Sequence, residues 1–108
     1  MNERMNPEKA FKEAYYKAWD SGKRSPELEQ NIIILHNPHC ACFYAEDIIK
    51  ARWIEAEDII MNSSYYSSRY ASHVIKGKLP EKMHNMMILH AIEDPDDKYV
   101  KDYFELIK

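Results

Sequence analysis

Three observations predict an all-α chain. All five prolines fall where a helix can begin, apolar residues recur at helical rather than alternating spacing, and one helical pattern is written twice, 26 residues apart. In the repeat, "FYAEDIIKARWIEAEDIIM" (43–61) is answered by "RYASHVIKGKLPEKMHNMM" (69–87). Tyr44-Ala45 matches Tyr70-Ala71, Ile48-Ile49-Lys50 matches Val74-Ile75-Lys76, Arg52 matches Lys78, and Glu55 matches Glu81.

The elements follow in order. Proline suits the first turn of a helix, where its missing N–H has no intrahelical partner. Asn6-Pro7, Ser25-Pro26, Asn37-Pro38 and Asp94-Pro95 supply cap and start together, with Asp97 placed as in a capping box, whereas Leu79 before Pro80 is a poor cap. A start without proline follows Asn62, at Ser63-Ser64. Phe11, Ala14, Tyr15, Ala18 and Trp19 form one apolar face. Ala41, Tyr44, Ala45, Ile48 and Ile49 form a second, and Ser67, Tyr70, Ala71, Val74 and Ile75 a third. Seven short helices are therefore expected near 7–20, 26–36, 38–51, 54–62, 64–76, 80–92 and 95–107. "AEDII" recurs after 11 residues, which would suit one long helix over 43–61, but Gly77 and Pro80 break the matching copy, so a tight turn is expected at Ala51-Arg52-Trp53-Ile54.

Short amphipathic helices repeated at a fixed period hide their apolar faces by stacking. The expected architecture is a single domain of helical-hairpin repeats, a short α-solenoid or compact bundle, with units near 7–36, 38–62 and 64–92 and a half unit at 95–108. The 108 residues suit one hydrophobic core. With 45% hydrophobic and 31% charged residues and two glycines, the chain is expected to be ordered almost throughout.

"YA..VIKGKLPE", with "EAEDIIM" and a following Tyr-Tyr pair, resembles the short tandem helical repeats of uncharacterised tailed-phage and virus-like proteins. The match covers residues 43–88 and departs from the pattern at Ala51, Ile54 and Lys82-Met83. The resemblance implies a helical stack and a phage origin. It carries no activity and no catalytic residues.

A net charge of −3 supplies no global attraction to phosphate backbones or anionic lipid. No apolar run approaches the roughly 20 residues that span a bilayer, and the start lacks the regions of a secretory signal, so a cytoplasmic protein with no membrane partner is expected, in the host cytoplasm if phage-encoded.

Candidate sites are few. "HNPHCAC" places His36, His39, Cys40 and Cys42 within seven residues, the side chains zinc uses. On a helix from Pro38, however, Cys40 and Cys42 point about 200° apart, and ordinary small helix positions are the better expectation. Cys40 in a first helical turn has the setting that lowers a thiol pKa, but no nucleophile elbow, phosphate loop or paired metal motif completes a catalytic site. A non-enzymatic protein with no cofactor is expected. Lys23-Arg24, Lys50 with Arg52, Lys76 with Lys78, and Lys108 fall at equivalent helix ends, where stacking would line them into a basic ridge; stabilisation of helix C-termini explains the same placement.

Tyr15-Tyr16 and Tyr65-Tyr66 are pairs in which one ring packs and the other reaches water, and such residues dominate protein-binding hot spots. Trp53, in a turn, is expected to be an exposed anchor or a lid over the helical pair. "MHNMMILHAI" is apolar nearly all round, as a central helix is, and a homodimer through it is the alternative. The expected function is binding of another protein, of the host, by a phage-encoded modulator or inhibitor of a host protein or defence complex, through Lys50, Arg52, Trp53, Tyr65, Arg69, Lys76 and Lys78. The alternative is nucleic-acid binding along the Lys/Arg ridge.

Overall fold

The computed structural model describes residues 7–108, with side chains from residue 12 onward. Its α-helices are α1 (Pro7–Ser21), α2 (Pro26–Leu35), α3 (Pro38–Tyr44), α4 (Glu57–Ile60), α5 (Ser64–Tyr70), α6 (Glu81–Glu93) and α7 (Lys98–Leu106), and no strand forms among the described residues. α3 and α5 each continue into one π-helical stretch, Ala45–Ile49 and Ala71–Ile75, and a 3-10 turn, Ile54–Ala56, leads into α4.

Side-chain caps fix most of the starts. Ser25 Oγ accepts the Leu28 amide at 3.2 Å, Asn37 Oδ1 accepts those of His39 and Cys40 at 2.9 and 3.3 Å, and Ser63 Oγ accepts that of Tyr66 at 3.2 Å. Each such cap is worth about 1 kcal/mol. The expected Asn6 cap lies outside the described residues. Two starts differ from expectation. Pro80 is itself the N-cap of α6, with no side-chain bond to the helix. Asp94-Pro95 does not begin α7 but forms a turn, closed by Asp97 N–H to Asp94 O at 3.1 Å, and Asp97 then caps the helix through the amides of Tyr99 and Val100. Asp before Pro is as good a turn signal as a helix signal.

The break inside 43–61 is present. Lys50 and Lys76 lie in the left-handed region at φ 58° and 61°, as Gly22 does at 66°. Lys50 N–H reaches Ala45 O at 2.7 Å, an i→i+5 bond that closes the π-turn, and the chain then reverses. In the second copy the left-handed residue is Lys76, not the neighbouring Gly77, whose N–H instead bonds Ala71 O at 3.1 Å.

Each second helix sits against the first helix of its own pair and of the next: α2 against α1 and α3, α4 against α3 and α5, α6 against α5 and α7. One hydrophobic cluster runs from Ala18 to Tyr103, with Tyr44, Tyr70 and Tyr103 its largest fully buried side chains. Small residues let α3 and α5 approach closely: Ala41, Cys42, Ala45, Ser67 and Ala71 are all buried, and Cys42 Sγ lies 3.6 Å from Tyr66 O. α6 buries Met83 and Met87 but leaves Ile88, Leu89 and Ile92 40–71% exposed, so it is covered on one side only.

Candidate functional site: tyrosine locks and an aromatic face

The same polar device occurs between successive units. A tyrosine from a first helix reaches back to the turn that precedes the second helix of the pair before it. The Tyr44 hydroxyl accepts Ser25 N–H at 2.9 Å and donates to Glu29 Oε2 at 2.7 Å, and Arg24 grips that carboxylate with two bonds of 2.8 and 2.7 Å. The Tyr70 hydroxyl accepts Trp53 N–H at 2.8 Å and donates to Glu57 Oε2 at 2.8 Å, and Arg52 holds Glu57 at 2.7 and 3.0 Å. The Tyr103 hydroxyl accepts Leu79 N–H at 3.0 Å and meets His84 Nδ1 at 2.7 Å.

Electrostatics keep these tyrosines protonated, and so able to donate. Burial, reinforced by Glu29, pushes Tyr44 up to about 12 against the opposing bond from Ser25. Burial raises Tyr70 further, with the Glu57 carboxylate adding to it. The Arg24 bond holds Glu29 below the usual carboxylate range, against desolvation and with help from Tyr44. Each lock completes an amide at a turn that would otherwise be unpaired, a group costing about 1–3 kcal/mol when left so in a dry site.

A second constellation faces outward. His39 and Phe43 of α3, Tyr65, Tyr66 and Arg69 of α5, and Tyr99 of α7 form a continuous run of rings. The centroids of His39–Tyr66, Tyr66–Tyr65 and Tyr65–Tyr99 are 5.4, 4.8 and 4.8 Å apart. The Arg69 guanidinium lies 4.6 Å over Phe43 and forms two bonds to Glu46, at 2.9 and 3.0 Å, while His73 Nδ1 lies 3.6 Å from the same carboxylate. Lys98 Nζ sits 5.2 Å over Tyr99. Tyr65 is 38% exposed, and His39 is also exposed.

Of the residues expected to bind, Tyr65 and Arg69 meet on this face. Trp53 is a correction: it is 2% exposed, its ring 5.0 Å from that of Tyr44 and its amide held by Tyr70, so it fills the core as a lid and is no exposed anchor. Arg52 belongs to a lock, its charge matched by Glu57, and Arg24 is matched in the same way by Glu29. Lys50, Lys76 and Lys78 are exposed and make no ion pair among the described residues, whereas Arg24 and Arg52 are neutralised and Lys108 lies 3.8 Å from Glu105.

The cysteine segment behaves as small packing residues do. Burial pushes the Cys42 thiol up to about 12, with Glu46 adding repulsion. Burial also raises Cys40, which reverses the expectation of a lowered value at the helix start. His39 packs against Phe43 at 4.8 Å, and His36 sits exposed at the end of α2. Among the described residues, no three His, Cys, Asp or Glu side chains are placed to hold a metal ion, so the His36–His39–Cys40–Cys42 alternative is not assembled.

The locks were missed by sequence reasoning, although a signal was there. Arg24 and Glu29 stand at the same spacing as Arg52 and Glu57, each followed by a tyrosine on the next first helix. That spacing is not a helical pair, because the arginine precedes the helix.

The fold and the locks define an all-α domain of repeated helical elements. No family model, no curated protein and no solved structure matches the chain. No helix among the described residues is long and apolar enough to cross a membrane.

Proposed function

We propose that the chain is a single protein-binding domain, a stack of the hairpins α1–α2, α3–α4 and α5–α6 continued by α7, and that its partner is another protein docking on the aromatic face. The observation that carries this is the run of rings contributed by three successive first helices, with Arg69 among them. Tyrosine and arginine presented on a rigid scaffold are the usual anchors of protein recognition. The locks supply that rigidity, so little ordering is left to be done on binding.

A protein partner fits better than a nucleic acid. The Tyr65 ring stands at 70° to both Tyr66 and Tyr99, edge to face rather than as parallel platforms, and the Arg69 charge is matched by Glu46. Phosphate affinity comes from cations that are not already neutralised. That the partner is a host protein or defence complex, and this chain a phage-encoded modulator of it, rests on the resemblance of residues 43–88 alone; the non-enzymatic reading rests on the lack of a catalytic motif in the sequence.

Affinity capture with the intact chain tests the proposal, with a Tyr65→Ala/Tyr99→Ala variant and a Lys50→Glu/Lys76→Glu/Lys78→Glu variant in parallel. A stoichiometric protein partner that is lost with the tyrosine variant and kept with the lysine variant is the expected result. Salt-sensitive association with DNA or RNA, lost with the lysine variant, would replace it with the nucleic-acid function.

A further inference from the structure

We propose that α7 is held by a proton-sensitive latch, His84–Tyr103, and that acidification frees it from the rest of the stack. The motive is the difference between the third lock and the other two. In the first two, the tyrosine proton goes to a carboxylate held by arginine. In the third, Met83 occupies the position of Glu29 and Glu57, and the acceptor is the His84 ring.

The proton inventory settles the direction of the bonds. Leu79 N–H can only donate, so the Tyr103 oxygen accepts there and its single proton points to His84 Nδ1. The reverse direction would leave the proton of a fully buried hydroxyl without an acceptor. His84 must therefore be neutral, with its proton on Nε2. A second proton turns Nδ1 into a donor, and the Tyr103 proton then has nowhere to go. Imidazole is the side chain whose charge changes between about pH 5 and 8.

The surroundings do not replace the lost acceptor. Tyr103 and Phe104 of α7 pack their rings 5.7 and 5.8 Å from that of His84. The charged groups on the packed elements are Lys78 in the turn, Glu81, Lys82 and Glu93 on α6, His73 and Lys76 at the end of the α5 π-stretch, Lys98, Lys101, Asp102 and Glu105 on α7 and Lys108 beyond it, all exposed, with Arg69 of α5 paired to Glu46. None forms an ion pair with His84, and Lys82, Lys101 and Lys108 are engaged with Asp58, Asp96 and Glu105. His90, the other imidazole of α6, donates from Nε2 to Met61 O at 3.0 Å, a bond that survives protonation. Its charge also favours the Asp97 carboxylate that caps α7, so His90 acts in the opposite direction.

Neutral His84 is the form the docked helix requires, so the contribution of the latch is present at higher pH and lost as the pH falls. Freeing α7 withdraws Tyr103 from the buried Leu79, whose amide it holds.

Hydrogen exchange of the intact chain at about pH 7.5 and about pH 5, each normalised to intrinsic rates, tests the latch. The protection of Val100–Leu106 is expected to fall about three- to tenfold at the lower pH, the worth of one hydrogen bond, while α5 stays level as the internal reference. His84→Gln keeps a carbonyl acceptor that does not titrate and should abolish the fall; any residual response from His90 has the opposite sign. Tyr103→Phe removes only the hydroxyl and should give low α7 protection that does not fall further. A level α7 in the unsubstituted chain, parallel loss in α5 and α7, or the full fall retained in His84→Gln would each overturn the proposal.

Discussion

The junctions built on Tyr44 and Tyr70 use the same bonds in different surroundings. The Glu29 side chain is 17% exposed and serves the half-buried amide of Ser25, whereas that of Glu57 is 8% exposed and serves the amide of the buried Trp53. At the first junction, water can stand in for a lost partner. At the second it cannot, because the bonds of the Tyr70 hydroxyl to Trp53 N–H and to Glu57 are both buried. One arrangement of side chains is thus a convenience at the first junction and a requirement at the second, and what differs is access to solvent, not bond geometry.

The largest effect is expected where the two junctions meet. Trp53→Ala empties a core position that touches both, and should cost about 3–5 kcal/mol in urea unfolding. A loss below about 1 kcal/mol would mean that the ring is not the wall between them. Next, Tyr70→Phe should cost about 1–3 kcal/mol, because it strands the Trp53 amide in a dry site, and Tyr44→Phe about 0.5–1.5 kcal/mol. Equal costs for the two would remove the distinction drawn from burial. The smallest effect concerns pH. The Glu29 carboxyl lies below its ordinary value of 4.5 in the folded chain, so its stabilisation is complete above that value and disappears as the pH falls through the lower folded value. Unfolding free energies of Glu29→Gln, measured from neutral to acid pH, should run flatter than those of the unsubstituted chain; matching slopes would show that the Arg24 grip contributes nothing.

Much of the fold was legible in the sequence because its signals are local. Ser25-Pro26, Asn37-Pro38 and Ser63 mark their own helices, and the chain does reverse between Lys50 and Trp53. The errors arose where one residue type serves two purposes. Asp94-Pro95 reads equally as cap or turn, and the contest was settled by Asp97, two residues on. Gly77 looked like the residue that stops a helix, yet lysine takes the left-handed position in both copies, held there by the π-turn before it. Trp53 read equally as an exposed anchor or a lid, and what decides for the lid, its packing with Tyr44 and Tyr70, lies 9 and 17 residues away. Tyr65 and Arg69 were legible as surface residues, whereas their meeting with His39, Phe43 and Tyr99 depends on how three helices come side by side.

The locks also give the chain a polarity. Tyr44, Tyr70 and Tyr103 each point back toward the N-terminal neighbour, so each of these bends is finished by an element that follows it in sequence. Shortening the chain from its C-terminal side uncovers a bend that has lost its keystone, while shortening it from the N-terminal side leaves every remaining bend complete. The two ends are therefore unequal places for fusion or trimming, and growth of the native structure along the chain has a preferred sense.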